Sequence, residues 1–429
     1  MRTVKWNPFL SGVAMLLGGV LLWAGAAHAD ISSTNAAAIV VFPKLVVDTS
    51  AVMSGSQVDT VIQLTNTAPH AVNVRCFYVN ANGHCSNDPI SFCDPGQASS
   101  VFCSSPGYCI PGWVETDFFF RLTANQPIVW TVSEGLAGVD FPLVNGKTGI
   151  GGEFNTGSIP QANEDPMLGE LKCVEVGEDE MPVDSNDLKG EATIELLSEG
   201  SIDIEGYNAI GIQAIPGSCS GDSSISCTAD SDCQPPATSA DDGTCIHVNN
   251  RDNTLVIGGP DAEYNGCPNN LILDHFFDEA PVLNGEVSTL LTLVPCSEDF
   301  FTQTCVTTTV QYLVYNEFEQ RFSTSRPLKC FSELLLSDID TRLGNLNEND
   351  DASIFGIGVE GTLTGQTVIR GVADSDPTKT PGHGLLGVVH EFHELNSSDE
   401  PVYSAAYMLD QRGSRTQADI MLMPQPSPQ

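Results

Sequence analysis

The sequence predicts an all-β fold of two tandem immunoglobulin-like β-sandwich domains, the first carrying disulfide-rich loop insertions. Three observations support this expectation. Short runs rich in Val, Ile, Thr and aromatic residues, such as "IVVFPKLVV", "VNVRCFYV", "TTTVQYLVY" and "TVIRGV", are bounded by Gly, Pro, Asn and Asp, as strands are bounded by turns. A series of landmarks recurs in the same order along the chain, which marks an internal duplication. Cysteines cluster in polar, Gly- and Ser-rich segments that cannot bury a core of their own, so cross-links must supply their rigidity.

Residues 1–29 read as a secretory signal: Arg2 and Lys5, an apolar stretch from Phe9 to Trp23, then Ala27-His28-Ala29 before Asp30. The expected product is periplasmic or extracellular and not inserted in a membrane after cleavage, since no later apolar run reaches the roughly 18 residues needed to span a bilayer. An even set of 14 Cys in such a product points to disulfides. Cleavage removes two basic residues and no acidic one, leaving 15 basic against 55 acidic residues, a formal charge of −40. That balance excludes nucleic acid as a partner, because binding there depends on Lys and Arg neutralising phosphates. It keeps an extracellular protein soluble and attracts cations.

Residues 30–275 form the expected first sandwich. Its landmarks are "TVIQLTN" (Thr60–Asn66), Cys76-Phe77, "LTANQPIVWTV" (Leu122–Val132), "LGELKC" (Leu168–Cys173), Pro182-Val183 and an apolar run ending at Pro216. Residues 276–424 form the expected second, with "TVQYLVYN" (Thr309–Asn316), Cys330-Phe331, "LTGQTVIRGV" (Leu363–Val372), "LGVVHE" (Leu386–Glu391), Pro401-Val402 and a run ending at Pro424. A Pro-rich tail, 425–429, closes the chain. "AAAIVVFPKLVV" (Ala36–Val47) and "STLLTLVP" (Ser288–Pro295) occupy matching places as first strands. Helical periodicity is scarce, Cys330–Leu343 being the one ambiguous stretch.

Two Cys-rich loops, 80–112 and 217–250, distinguish the first copy. "CSNDPISFC" (Cys85 to Cys93) and "CSGDSSISC" (Cys219 to Cys227) resemble each other; Cys103 and Cys109 then follow in the first loop, and Cys233 and Cys245 in the second. These loops also resemble short Cys-rich inserts of secreted bacterial proteins. Cys296 and Cys305 bracket another loop in the second copy and are expected to close it. Connectivity does not follow from spacing.

Several strings invite chemistry. "HGLLGVVHEFHEL" holds His383, His390 and His393, but His390 and His393 are three apart in a strand-like run and point to opposite faces, so they cannot share a zinc ion. Gly356, Gly358 and Gly361 spell a nucleotide fingerprint, yet they lead into a strand rather than the helix whose N-terminus would meet a pyrophosphate. Gly217-Ser218-Cys219-Ser220-Gly221 mimics a nucleophile elbow, but Cys219 opens the disulfide loop.

Asn345, Asn347, Asn349 and Asp351 alternate like calcium ligands, with Asp338 and Asp340 just before them, although Asp350 and Gly356 stand where an EF-hand needs Gly and Glu. A solvated acidic turn is the default there, with Ca2+ as the sole cofactor candidate. Asn396-Ser397-Ser398 is a glycosylation sequon. Trp113, Trp130, Tyr108 and Phe118–Phe120 cluster near the first Cys-rich loop, Trp113 as a surface contact or loop anchor and the phenylalanines in a buried strand.

The functional expectation is a secreted, non-catalytic protein with a structural, adhesive or ligand-binding role at the cell surface or in the extracellular space. Its partners would be cell-surface proteins, glycans or itself. The alternatives are a carbohydrate-binding or glycan-acting protein, and a filament subunit whose Ala36–Val47 adds to a neighbour's sheet edge.

Overall fold

The computed structural model describes residues 31, 34–52, 56–93, 103–104, 106–110, 112–136, 159–198, 201–220, 225–227, 233, 243–246, 252–282, 285–339, 353–355, 363–372, 383–395 and 401–425. The protein is all-β and cross-linked by disulfides. Among the described residues the one helix is a single turn, α1 (Leu336–Ile339), directly after a short strand, so the ambiguous stretch is mixed.

The first sheet pair uses β1 (Ile39–Val47), β2 (Gln57–Asn66), β3 (Val72–Asn80), β7 (Val114–Leu122), β8 (Pro127–Thr131), β9 (Met167–Val176), β10 (Leu188–Ser198), β11 (Ser201–Asn208) and β12 (Ile210–Ile212). They assemble as β12-β1-β9-β3-β7 and β11-β10-β2-β8. Between them lies one core, with Phe42, Leu45, Val74, Phe120 and Leu171 from the first sheet meeting Ile62, Leu64, Trp130 and Ala192 from the second. The loops hold β4 (Gly83–Cys85), β5 (Asp88–Cys93) and β6 (Cys109–Ile110), and β13 (Gly217–Cys219), β14 (Ser226–Cys227) and β15 (Cys245–Ile246).

The second pair uses β17 (Pro268–Phe276), β18 (Ala280–Val282), β19 (Gly285–Pro295), β21 (Thr307–Asn316), β22 (Arg321–Lys329), β23 (Ser332–Leu335), β24 (Thr364–Val372), β25 (Leu385–Leu395), β26 (Pro401–Met408) and β27 (Asp410–Ser414). The sheets are β22-β21-β24-β17-β27 and β18-β19-β25-β26, with β23 on β19. Leu271, Leu273, Val310, Tyr312 and Ile369 meet Leu291, Leu293 and Val389 in their core. The expected boundary at residue 275 falls inside β17, which among the described residues pairs with β24 and β27.

A further core joins the halves. Ile39 and Val41 of β1, Phe77 of β3 and Val174 of β9 pack with Leu255 of β16 (Thr254–Ile257), Val294, Phe300, Leu386 and Met421 of β28 (Asp419–Leu422). β28 lies between β16 and β20 (Glu298–Asp299), so the end of the chain returns to its middle. This explains why "AAAIVVF" lacks hydrophobic alternation: β1 is covered on both faces, and a strand buried on both faces reads as a continuous apolar run. The expectation of two separate immunoglobulin-like domains in series is therefore corrected. The sheets form a propeller-like ring in which the joining core is shared by both halves. Strand order is not that of propeller blades, whose strands follow one another in sequence, since β10 lies between β11 and β2.

The duplication survives in the central strands. β1·β9 and β2·β8 recur as β19·β25 and β21·β24. It fails at Cys76-Phe77 and Cys330-Phe331. Cys76 lies in β3 beside β9, in the sheet opposite β2, whereas Cys330 ends the hairpin partner of β21 in the same sheet.

Candidate functional site

The two Cys-rich loops fold alike. In each, the first strand is central: β4 between β5 and β6, and β13 between β14 and β15. Cys85 stands opposite Cys109 and Cys219 opposite Cys245; Gly83 faces Cys93 and Gly217 faces Cys227. Even the turn is repeated. Ser86 N donates to Tyr108 O at 2.8 Å and its Oγ accepts from Tyr108 N at 3.0 Å, while Ser220 does the same with Thr244 at 2.9 and 2.9 Å.

Disulfides join first to third and second to fourth Cys in both: Cys85–Cys103 and Cys93–Cys109, Cys219–Cys233 and Cys227–Cys245. Cystine sulfur is the core of each module. Gly217 is required, because a Cβ there would lie 2.8 Å from Ile246 O and 3.0 Å from Cys245 Sγ. With the cysteines turned inward, apolar side chains face out at equivalent places: Ile110 is 46% exposed and Ile246 55%, with Tyr108 at 61%.

The expected Cys296–Cys305 closure does not form. Cys296 bonds Cys267 and Cys305 bonds Cys330. The β21–β22 hairpin register brings Cys305 to Cys330, whereas Cys267 and Cys296 meet at the ends of β17 and β19, which belong to different sheets. Spacing gives no sign of Cys76–Cys173 either, its partners being directly opposite on β3 and β9 but 97 residues apart.

The base of the first module is polar. Glu164 accepts from Asn80 Nδ2 at 2.6 Å and Asn82 Nδ2 at 3.0 Å, and its Oε1 lies 2.9 Å from His84 Nε2. Burial pushes this carboxyl up, but the three bonds outweigh it and hold it below the ordinary range. The aromatics take structural places. Trp130 Nε1 donates to Tyr78 OH at 2.6 Å inside the core, and Trp113 stacks on Phe300 at 6.4 Å beside the joining core. Phe118 and Phe120 are buried, and Phe119 packs partly on the joining core.

Among the described residues, three sets of buried ionisable groups lie where the halves meet. Lys172 Nζ on β9 is fully buried, 3.0 Å from Glu170 Oε1, 3.2 Å from Pro295 O and in contact with Glu298 of β20. Burial pulls Lys172 down, but its two carboxylates outweigh that and raise it, so it is charged. Glu298 and Glu170 are both pushed up by burial, Glu298 also by Glu170, so one ammonium serves two carboxyls.

A second pair begins at a bulge. The β1 register shifts between Phe42 and Leu45, around Pro43, which has no N–H to give the ladder. Tyr207 OH fills the gap, donating to Lys44 O and accepting from Lys44 N at 3.2 Å. The Lys44 ammonium then reaches Glu333 Oε2 at 3.0 Å, which also accepts from Thr292 Oγ1 at 2.7 Å.

His390, aligned with Lys172 by the duplication, is the third. Its Nδ1 contacts Glu205 Oε2 of β11, and its Nε2 is buried without a partner among the described residues. Burial and then Lys44 hold the imidazole low; burial lifts Glu205 too, but the contact with His390 outweighs it and holds the carboxyl low. Both shifts fit one state, a neutral imidazole donating Nδ1–H to an ionised carboxylate. His393 turns elsewhere, its Nε2 2.8 Å from Glu391 Oε1, and His383 Nδ1 lies 3.1 Å from Thr308 Oγ1. The structure thus separates the three histidines of the string.

Of the calcium candidates, Asp338 lies in α1, where its carbonyl accepts from Arg326 Nη1 at 2.5 Å. Asp340, Asn345, Asn347, Asn349 and Asp351 fall outside the described residues, as do Gly356, Gly358, Gly361 and the sequon. A groove of about 540 Å³ on the second half is lined by Asp274, Phe276, Tyr315, Glu317, Gln366 and Glu391 among others. Its carboxylates have local partners: Asp274 with Gln366 Nε2 at 2.7 Å, Glu317 with the amides of Leu363 and Thr364, and Glu391 with His393. Burial drives the nearby His275 down to about 4, so it stays neutral.

No family model matches the chain, and no curated protein matches it. Among solved structures it is similar to the CupB6 tip adhesin from Pseudomonas aeruginosa at 8% identity, over 89% of this chain and 99% of that one. The TM-score is 0.13, a likeness that carries no argument.

Proposed function

We propose that this chain is a secreted, non-catalytic binding protein with a structural or adhesive role at the cell surface or in the extracellular space, and that the two disulfide modules are its contact elements. The carrying observation is that one module is built twice, with the same pairing and register, and each copy turns an isoleucine outward at the same place, Ile110 and Ile246. A side chain exposed twice on rigid cystine scaffolds suits recognition, because little ordering entropy remains to be lost on binding. Seven disulfides indicate an oxidising compartment, which supports the reading of residues 1–29 as an export signal.

The finer architecture belongs to the same proposal. Recurrence of the central pairs supports descent from one duplicated, immunoglobulin-like sandwich, later fused through the joining core. Strand donation by Ala36–Val47 is disfavoured, because β1 has β12 on one side and β9 on the other. The test is binding of labelled mature protein to the cells that produce it. Tyr108→Ser, Ile110→Ser and Ile246→Ser together should weaken binding at least about tenfold with the melting temperature unchanged. Equal binding by the variant would remove the modules from the proposal.

A further inference from the structure

β11 is an edge strand of the first half whose inner face meets the second half. Asp203, Glu205 and Tyr207 point inward along it, while Ile202 and Ile204 point to solvent. Ser404 of β26 donates to Asp203, and His390 of β25 donates to Glu205. The groups facing His390 come from four elements: Glu205 and Tyr207 of β11, Lys44 of β1, Glu333 of β23 and Phe392 on its own strand. Tyr207 presents its ring edge-on at 6.4 Å. With Lys44 and Glu333 balancing each other at 3.0 Å, this joint is satisfied when the imidazole is neutral.

The atom that would take a second proton is Nε2. It is buried and has no acceptor among the described residues. A charged N–H there has nothing to donate to, and leaving such a group dry is costly, so water must be admitted. Lys44 adds repulsion from the β1 side. The bonds of β11 to β10 do not involve His390, and the disulfides lie elsewhere, so the element that can yield is the contact between β11 and the β25–β26 hairpin.

We propose that His390 is an acid-sensitive latch at which protonation loosens the polar contacts of Asp203 and Glu205 on β11 with Ser404 of β26 and His390 of β25, while Tyr207 and Val388 stay packed in the first core and the other two cores and the modules stay folded. The sign follows from a histidine held low. The latch is fully closed above the ordinary histidine value of about 6.5 and weakens as pH falls below it. Glu205, also held low, loses its contribution in the same direction but at lower pH. The consequence is exposure of Asp203 and Glu205 on the inner face of an edge strand that already carries apolar side chains outside, which makes that part of β11 available for strand pairing in acid.

Amide hydrogen exchange on the full disulfide-bonded protein between pH 8 and pH 5, corrected for intrinsic rates, tests this. Segments 201–208 and 401–408 should lose protection by about tenfold for each unit of differential proton affinity, while β3 and β9 keep theirs. In His390→Gln the protection should no longer vary with pH over that range. If this variant does not fold, the wild-type profile alone decides. Unchanged protection of 201–208 down to pH 5, loss spread evenly over the chain, or the same pH dependence in His390→Gln would each overturn the latch.

Discussion

Replacing Lys172 by Met tests the joint between the halves most directly. Lys172 and Glu298 are fully buried and Glu170 nearly so, and among the described residues the ammonium is the only cation within reach of either carboxyl. Met fills the volume of the stem but supplies no charge. Removing one member of a buried ion pair strands the other, which costs about 3–5 kcal/mol, or roughly 150- to 5,000-fold in the folded-to-unfolded ratio.

The pH dependence gives a second reading. Both glutamates are already held above their ordinary value of 4.5 by burial. A carboxyl raised in the folded state contributes its stability below its unfolded value and loses it as pH rises through the folded one. Without Lys172 both rise further, so the loss should be largest near pH 8 and smallest near pH 5. Urea denaturation followed by tryptophan fluorescence at those two values measures it. Changing Lys172, Glu170 and Glu298 together to Met, Leu and Leu should restore much of the stability, since an apolar set needs no counter-charge. A Lys172→Met cost under about 1 kcal/mol at pH 8, or one growing toward acid, would refute the argument that the triad is dry.

Two further predictions concern the frame. Tyr207→Phe leaves Lys44 N and O at the β1 bulge without their partner and should cost about 1–3 kcal/mol in urea; a change under about 0.5 kcal/mol would mean that the bulge is hydrated. Replacing Cys76 and Cys173 by Ala opens a 97-residue link and should cost about 4–5 kcal/mol overall. The Cys93 and Cys109 pair, 16 residues apart, should cost about 3 kcal/mol, felt as proteolytic sensitivity of the first module alone, and equal global losses from the two would refute the separation.

Much of this architecture is legible in the amino-acid pattern. The strand class and the structural use of cysteine follow from local pattern, whereas that Ala36–Val47 is covered on both faces came only from the structure. The fused joint is not legible there, because Glu298, Glu333 and Glu205 look like any of the 55 acidic residues until the partner strands bring Lys172, Lys44 and His390 to them. The neighbours of His390 in sequence suggest zinc chemistry, whereas its true neighbour is 185 residues away. The disulfide pairing of the modules does not follow from spacing, since spacing constrains loop length and not which sulfurs converge.

By itself, then, the sequence determined that the chain is β-rich, strongly acidic and stapled, because each of these depends on composition or on residues a few positions apart. Only the tertiary structure decided which charges are dry, which cysteines meet and that the two halves share a core. Those outcomes depend on which faces the sheets turn toward one another, and that is set by the packing of all the strands together.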